Sequence, residues 1–260
     1  MESHIIRLIY KFLLLNVLCL FLGTGSCLAD ESRSELPGKI IWAWERPEDL
    51  RWLPSDYGIA HVTYSIKLIG NQAIVRRNLN RFLHRPDMVV VPIVHVDPSF
   101  ARPPTMNRQQ LVTIVQTLLI QAQNSPSQWV QLDFEAVESQ KPFLATVIRT
   151  ARSMLPGEKK LSITALASWC FFDDQWLQDL PADEIVPMVF RMGRDRDRIR
   201  HTLGRSGTLP HPRCRSAIGI ATDEPLVKVA ASRYYFFAPK SMKPDSMVWL
   251  DEFLAEVKAK

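Results

Sequence analysis

A mostly apolar segment of this 260-residue chain begins at Trp129 and ends in two carboxylates, Asp133 and Glu135, which could form a catalytic pair. The segment predicts a buried strand, and side chains on a strand alternate between its two faces. Gln131, Asp133 and Glu135 therefore share one face, while the residues between them are apolar. If that face is the inside of a barrel, Asp133 and Glu135 lie at the end of the strand where barrel enzymes have their active sites.

The spacing of Asp133 and Glu135 also has an electrostatic consequence. Residues two apart on a strand are separated by about 7 Å, and at an effective dielectric of about 20 two carboxylates at that distance repel by about 2.4 kcal/mol. This repulsion predicts a raised pKa for one of them, so that a glutamate stays partly protonated near neutral pH. A protonated carboxyl is the general acid of glycoside hydrolysis, and Glu135 and Asp133 are the predicted catalytic residues. The structural alternative is that both carboxylates pair with arginines or with backbone N–H groups.

Aromatic and acidic residues recur where the other predicted strands end. Aromatic faces stack on sugar rings and carboxylates bond to sugar hydroxyls, so this composition favours a carbohydrate ligand. The predicted substrate-binding residues are Trp42, Trp44, Tyr64, His95, Asp97, Gln131, Trp169, Arg191, Asp223 and Tyr235. The alternative for each aromatic residue is that it closes the end of the barrel as ordinary core.

Three of these predicted residues carry charges that bear on the acid. His95 and Asp97 share one strand face and are expected to clamp the substrate or orient the acid; alternatively, His95 is a satisfied histidine at a strand end. Arg191 directly follows a predicted strand. A pairing of Arg191 with Asp133 or Glu135 would remove the raised pKa of the acid.

Strand and helix patterns that would position these residues alternate along the chain. Apolar runs rich in β-branched and aromatic residues predict eight strands, at residues 40–44, 59–64, 88–96, 129–134, 161–167, 185–190, 217–220 and 234–237. Helical spacing and stop signals predict helices at residues 107–122, 142–154, 195–203 and 246–260. Residues 70–72 lie between two short apolar runs and predict a hairpin.

Eight strands with helices between most of them predict an α/β fold, a (β/α)₈ TIM-like barrel. The segments after the first two strands and after Ala167 have no clear helical period, so the barrel is expected to be distorted or to lack some helices. The alternative is an open doubly wound sheet, because alternation alone does not close a sheet. No glycine-rich phosphate loop is found, so nucleotide binding is disfavoured and no cofactor is expected.

Residues 1–29 are predicted to be a secretory signal peptide, and residues 30–260 a single barrel domain. Arg7 and Lys11 precede a short apolar run at residues 12–22, and small residues lead to a cleavage site after Ala29. The run is too short for a comfortable membrane span, so the cleaved protein is expected to be exported to the periplasm or the medium without a transmembrane segment. Cys27 leaves a lipoprotein signal open, although the usual aliphatic residue three positions before it is missing.

Charge and cysteine content narrow the function classes further. Residues 30–260 contain 30 basic and 26 acidic side chains, and this net charge of +4 is too mild to indicate nucleic-acid binding. Cys170 and Cys214 are the two cysteines outside the predicted signal peptide, and an oxidising compartment allows them to pair or to stay free. The histidine spacing resembles no zinc site, so no metal is predicted.

Three segments resemble a known family: residues 41–46 (IWAWER), 130–136 (VQLDFEA) and 161–169 (LSITALASW). They are similar to the bacterial domain-of-unknown-function family 3142, which comprises exported proteins without an assigned activity. The resemblance spans residues 40–239 and implies a glycosidase-like barrel.

A weaker resemblance is to chitinase-like glycoside hydrolases, whose fourth strand ends in spaced aspartates that close on a catalytic glutamate. It implies that Glu135 is the acid and that Asp133 orients an acetamido group of a substrate that itself supplies the nucleophile. Gln131 and Gln128 stand where that family has earlier aspartates, and Phe190 stands where it has a tyrosine. These three differences count against acetamido chemistry.

Two functions remain open from the sequence. The first is an exported hydrolase of an O-glycosidic bond, with Glu135 as general acid, Asp133 as its partner, and Asp223 or Glu224 as a second carboxylate if the substrate does not supply the nucleophile. The second is a glycan-binding or envelope-associated module that keeps the barrel without the chemistry, because a fold alone does not determine function.

Overall fold

The computed structural model describes residues 35–171, 175–225 and 227–258, and the predicted signal peptide lies outside them. The described residues from Pro37 onward form one compact unit. We number the barrel strands β1–β8 and give other strands by their ranges. The barrel strands are β1 (Lys39–Ala43), β2 (Tyr57–Ile69), β3 (Val90–Pro98), β4 (Trp129–Phe134), β5 (Lys160–Leu166), β6 (Glu184–Met188), β7 (Ala217–Ala221) and β8 (Arg233–Phe237).

The eight strands form a closed parallel barrel. Each strand pairs in parallel with the next one, and the ring is closed by β1, which pairs with both β2 and β8. At the closing seam Ile40 of β1 lies between Gly58 of β2 and Tyr235 of β8. The predicted TIM-like α/β barrel is therefore confirmed, and the alternative of an open doubly wound sheet is wrong.

Helices connect only some of the strands, as the missing helical periods predicted. Among the described residues, the α-helices of three or more turns are α1 (Arg108–Asn124) after β3, α2 (Lys141–Met154) after β4, α3 (Arg196–Ser206) after β6 and α4 (Ser246–Lys258) after β8. After β1 the chain forms the short strand Glu48–Asp49, which pairs with Phe82–Leu83. After β5 it forms a 3₁₀ turn at Ala167–Cys170 and a four-residue helix at Gln175–Gln178. The barrel is thus irregular in the connections where the sequence lacked a helical signal.

The predicted hairpin lies at the end of β2. The strand Gln72–Arg77 pairs antiparallel with β2, and Gly70 makes the turn with a φ of 51°, a left-handed conformation that glycine adopts without a steric penalty. The side-chain amide of Gln110 donates to the carbonyl of Gly70 at 2.9 Å. Gln110 also completes a capping box with Asn107 at the start of α1. The first turn of α1 is therefore fixed to the hairpin.

The outer faces of the strands pack against the helices to form the main apolar core. Val130 and Leu132 of β4 and Ile114 and Leu118 of α1 are each at most 1% exposed within this core. Because these β4 residues face the helices, the alternating residues Gln131 and Asp133 face the inside of the barrel. The strand-face assignment made from the sequence is therefore correct for β4.

A disulfide joins Cys170 to Cys214 with a Cα–Cα distance of 6.1 Å. Cys170 follows β5 and Cys214 precedes β7, so the bond crosses the outside of the intervening strand β6. The sequence left this pairing open.

Replacing both cysteines by alanine is expected to lower the free energy of unfolding. The bond closes a loop with a sequence separation of 44 residues, and losing such a constraint on the unfolded chain costs about 2–4 kcal/mol. Urea denaturation of the wild type and of Cys170→Ala/Cys214→Ala measures this change. Added reductant should bring the wild type to the midpoint of the variant; equal midpoints without reductant would show that the bond is not formed in solution.

None of the helices within the described residues has the length and apolar composition needed to cross a bilayer.

Candidate active site

Three neighbouring strands bring a histidine, an aspartate and a threonine together near the carboxyl end of the barrel. His95 on β3 lies in register with Asp133 on β4, and its Nδ1 donates to Oδ2 of Asp133 at 2.7 Å. Thr164 on β5 donates from Oγ1 to Oδ1 of the same carboxylate, also at 2.7 Å. Asp133 is 2% exposed, and both of its oxygens are engaged. Asp133 is therefore held rigidly and orients His95.

Glu135 lies two residues after Asp133, on the same side of the chain. It is on the cavity side of the group formed by His95, Asp133 and Thr164. Its Oε1 is 4.0 Å from Nε2 of His95, and its side chain is 52% exposed. Its backbone N–H donates to the carbonyl of Val96 at 3.0 Å, which continues the pairing of β4 with β3 past the last strand residue. Glu135 thus combines a fixed backbone with a carboxyl group that solvent and ligands can reach.

The environment of His95 favours its protonated form. Burial by itself lowers the pKa of His95, but the hydrogen bond and charge of Asp133, with the charges of Glu135 and Asp97, outweigh burial and raise that pKa to about 9. The imidazole is therefore a cation at neutral pH, flanked by two carboxylates. Its contribution to folding depends on pH accordingly.

We expect the wild type to lose stability relative to His95→Gln as the pH rises from 6 to 9.5. The folded pKa of about 9 lies above the ordinary 6.5, so the stabilisation is fully present below pH 6.5 and is lost as the pH passes through 9. The difference between these two pKa values of His95 corresponds to about 3 kcal/mol in the free energy of unfolding. Urea denaturation at several pH values measures the difference between the two proteins. His201→Gln, which changes an exposed histidine on α3, is the control and should track the wild type; a His95→Gln curve parallel to the wild type would contradict the linkage.

The pKa of Glu135 is raised, in the direction that the sequence predicted but mainly for another reason. Partial burial is the largest cause; the charge of His95 lowers the pKa, Asp133 and Asp97 raise it, and Arg191 lowers it. Asp133, from which the sequence predicted the whole effect, is a smaller cause, because the positive charge of His95 lies between the two carboxylates and offsets their repulsion.

Asp133 and Glu135 open into a cavity of about 440 Å³ at the carboxyl end of the barrel. Its walls come from the ends of β4, β5, β6 and β8 and from the segments that follow β1, β3, β4, β5 and β6. Four of the sixteen lining residues are aromatic, three are acidic, and most of the others are aliphatic. The lining residues include Trp44, Phe100, Asp133, Glu135, Ser168, Phe190, Arg191, Asp195 and Phe237. The ring of Trp44 also contacts His95 edge to face, with ring centroids 5.7 Å apart. An acid with a raised pKa therefore faces a space of the size that small ligands occupy.

Arg191 lies in the cavity wall but does not hydrogen-bond to Asp133 or Glu135. Its backbone has a φ of 49°, a left-handed conformation that is uncommon for a residue with a side chain. Its N–H donates to Glu224 at 2.9 Å, and its guanidinium lies 3.4 Å from Asp223. Asp223 lines an adjoining cavity of about 280 Å³. The pairing that would have cancelled the raised pKa of the acid is therefore not formed.

Three predicted binding residues lie inside the barrel, below the cavity. Trp42 is 1% exposed and stacks on Phe237 at 4.2 Å; Tyr235 is fully buried. Gln131 donates from its amide to Ser162, which in turn donates to a carboxylate on β6. Their positions on the strands place Trp42, Gln131 and Tyr235 one layer below the residues that line the cavity.

The three remaining predicted residues lie in three different parts of the fold. Trp169 is 2% exposed and packs outside the barrel, against Trp176 and beneath the first residue of α2, so it cannot contact a ligand in the cavity. Tyr64 is half-buried at the base of the hairpin, opposite Arg77, and is likewise outside the cavity lining. Asp97 pairs with Lys67 at 2.9 Å and acts on the site through its charge.

Two contributors were missed from the sequence. Thr164 was not singled out, although its alternating position on β5 places it on the inward face next to Asp133. Phe100 lies two residues beyond the end of β3, and at 83% exposure it is an unusually exposed aromatic residue in the cavity wall. A search of the residues just past each strand end for aromatic side chains would have found Phe100.

Within the described residues, no three histidine, cysteine, aspartate or glutamate side chains cluster in a way that would hold a metal ion. Comparison of the chain with protein-family models, with curated proteins and with solved structures gave no match.

Proposed function

We propose that this protein is an exported glycoside hydrolase-like enzyme that cleaves an O-glycosidic bond of a polysaccharide or glycan. The observation that carries the proposal is Glu135, a carboxyl group with a raised pKa that faces a cavity partly walled by aromatic residues and is backed by a fixed ion pair. A raised pKa keeps such a group protonated at higher pH, as a general acid requires. The aromatic residues supply faces on which sugar rings stack.

Glu135 is the general acid in this proposal, and its proton goes to the glycosidic oxygen as the bond to the anomeric carbon breaks. The resulting carboxylate lies 4.0 Å from Nε2 of His95, whose positive charge stabilises it. His95 is thus a positioning residue, and Asp133 and Thr164 fix its ring in turn. The nucleophile is water or a group on the substrate, and Asp195 of the same cavity and Asp223 of the adjoining cavity are further carboxylates available to activate water.

The test is the release of new reducing ends from a panel of purified polysaccharides by the protein lacking residues 1–29. We expect release from at least one of them, at a rate that falls as the pH rises through the raised pKa of Glu135. No release from any polysaccharide, with ligand binding retained, would favour the second function.

That second function is a non-catalytic glycan-binding module. It is favoured by the hydrogen bonds of Asp133, because both of its carboxylate oxygens already accept from protein groups. Phe190 in the cavity wall also lacks the hydroxyl group of the chitinase-like tyrosine. A glycan array that shows binding without product release would select this function.

Export is the second part of the proposal. The disulfide between Cys170 and Cys214 supports it, because such bonds persist in oxidising compartments. Expression of the full chain in a bacterium, followed by fractionation and N-terminal sequencing, should give a periplasmic or secreted protein that begins at Asp30. Membership of family 3142 stays a prediction from the three resembling segments.

A further inference from the structure

The cavity that contains Glu135 is one of three that share walls along the rim of the barrel. The first cavity, of about 440 Å³, shares Trp44, Arg191 and Phe237 with the second, of about 280 Å³. The second shares Asp223, Ala238 and Pro239 with a third, of about 340 Å³. Each is close to the size of a small-ligand pocket, about 300–1,000 Å³. Together, the three cavities are therefore longer than a site for one sugar ring needs to be.

The third cavity has the side chains of a sugar site. Hydroxyl groups come from Thr222, Ser241 and Ser246, a positive charge comes from Lys240, and the indole of Trp249 on α4 forms one wall. Hydroxyl and charged groups bond to sugar hydroxyls, and an indole face packs against the apolar face of a ring. Of its lining residues, only Asp223, which it shares with the second cavity, has a part in the proposed reaction.

Aromatic residues lie on both sides of the acid in the order of the strands. Phe100 follows β3, Glu135 follows β4, and Trp249 lies in α4 after β8. Phe100 is 83% exposed, although it is a large apolar side chain in the wall of the first cavity. An exposed aromatic residue at the rim of a cavity offers a ring face on which a sugar can stack.

We propose that the three cavities form one groove that binds a linear polysaccharide along the rim, and that Glu135 acts on an internal bond of that chain. The inference rests on the proposed function for the cleavage and on the cavities for the binding. It predicts a preference for long oligosaccharides and first products that come from the middle of the chain.

The binding test uses Glu135→Gln protein, so that nothing is cleaved, and calorimetry with cellohexaose, chitohexaose and maltohexaose and their three disaccharides. At least one hexasaccharide should bind ten or more times tighter than its disaccharide. Similar affinities within every pair, or no binding of any hexasaccharide, would overturn the groove.

Two variants in that background test the third cavity. Trp249→Ala should weaken hexasaccharide binding about tenfold, and Ser241→Trp, which fills the cavity from an exposed position, should do the same without removing packing from α4. Trp52→Ala is the matched control, since this half-buried tryptophan lines none of the three cavities. Equal losses in Trp249→Ala and Trp52→Ala, with no loss in Ser241→Trp, would contradict the proposal.

Hydrolysis by the wild-type protein tests the cleavage independently of the binding groove. First products of two to four sugars from the hexasaccharide that binds would support internal cleavage, and release of single terminal sugars would overturn it. Length-dependent binding without any cleavage would leave the binding groove in place and refute the hydrolase.

Discussion

Glu135→Gln is expected to reduce turnover by a factor of at least 10² to 10⁴, the usual contribution of a general acid, while the fold and ligand affinity are retained. The amide has nearly the shape of the carboxyl group but has no proton to donate to a leaving oxygen. Because Glu135 is 52% exposed and lies 4.0 Å from His95, the change removes no hydrogen bond that the barrel needs. Reducing-end release at several pH values measures the loss.

The matched control for this variant is Glu138→Gln. Glu138 is 75% exposed, pairs with Lys141 and lies outside the cavity lining, so its amide variant should turn over like the wild type. Circular dichroism of both variants checks the fold. Wild-type turnover by Glu135→Gln would refute the assignment of the acid, whatever the ligand.

Glu184→Ala is expected to lower the free energy of unfolding by about 3–5 kcal/mol, the cost of removing one partner from a buried charged group. Glu184 is 3% exposed inside the barrel, where Arg233, Tyr235 and Ser162 all donate to its carboxylate. The variant deprives three inward-facing donors of their common acceptor. Urea denaturation measures the change.

Asp49→Ala serves as the control for Glu184→Ala, because it also removes a carboxylate from an ion pair with an arginine. Asp49 pairs with Arg51 on the surface, where both side chains are about half exposed, and such pairs contribute little to stability. The denaturation midpoint of Asp49→Ala should therefore stay near that of the wild type. Equal midpoints for both variants would show that the interior network does not stabilise the barrel.

The elements that determine the fold were predictable because their signals are local. β4 has the bounds predicted from its apolar run, and α1 begins after Asn107, whose capping box with Gln110 is recognisable in the sequence. The number of strands favoured a barrel over an open sheet, but the closure is shown only by the pairing of β1 with both β2 and β8. The hairpin was predictable from Gly70, whose turn needs a left-handed conformation.

The depth of a side chain along the barrel axis was not predictable. Alternation says that Trp42 and Trp44 face the same way, but only the offset between neighbouring strands decides that Trp42 is buried and Trp44 lines the cavity. The hydrogen bond between Asp133 and His95 was not predictable either, because it depends on the offset between β3 and β4. His95 was predicted as a clamp or as a structural histidine, and the register of β3 against β4 makes it the partner of Asp133. Registers depend on packing between segments far apart in the chain.

The covalent link between Cys170 and Cys214 crosses β6, and β6 leads directly into Phe190 and Arg191 of the cavity wall. Neither sulfur lines the cavity, yet both anchor the segments on either side of the strand that presents this wall. Protein produced in the reducing cytosol of an expression host would contain Glu135 but would lack the disulfide that holds these two segments. Protein for activity assays should therefore be produced in an oxidising compartment or refolded in a thiol–disulfide buffer. Otherwise a lack of activity could result from the missing disulfide and would say nothing about Glu135.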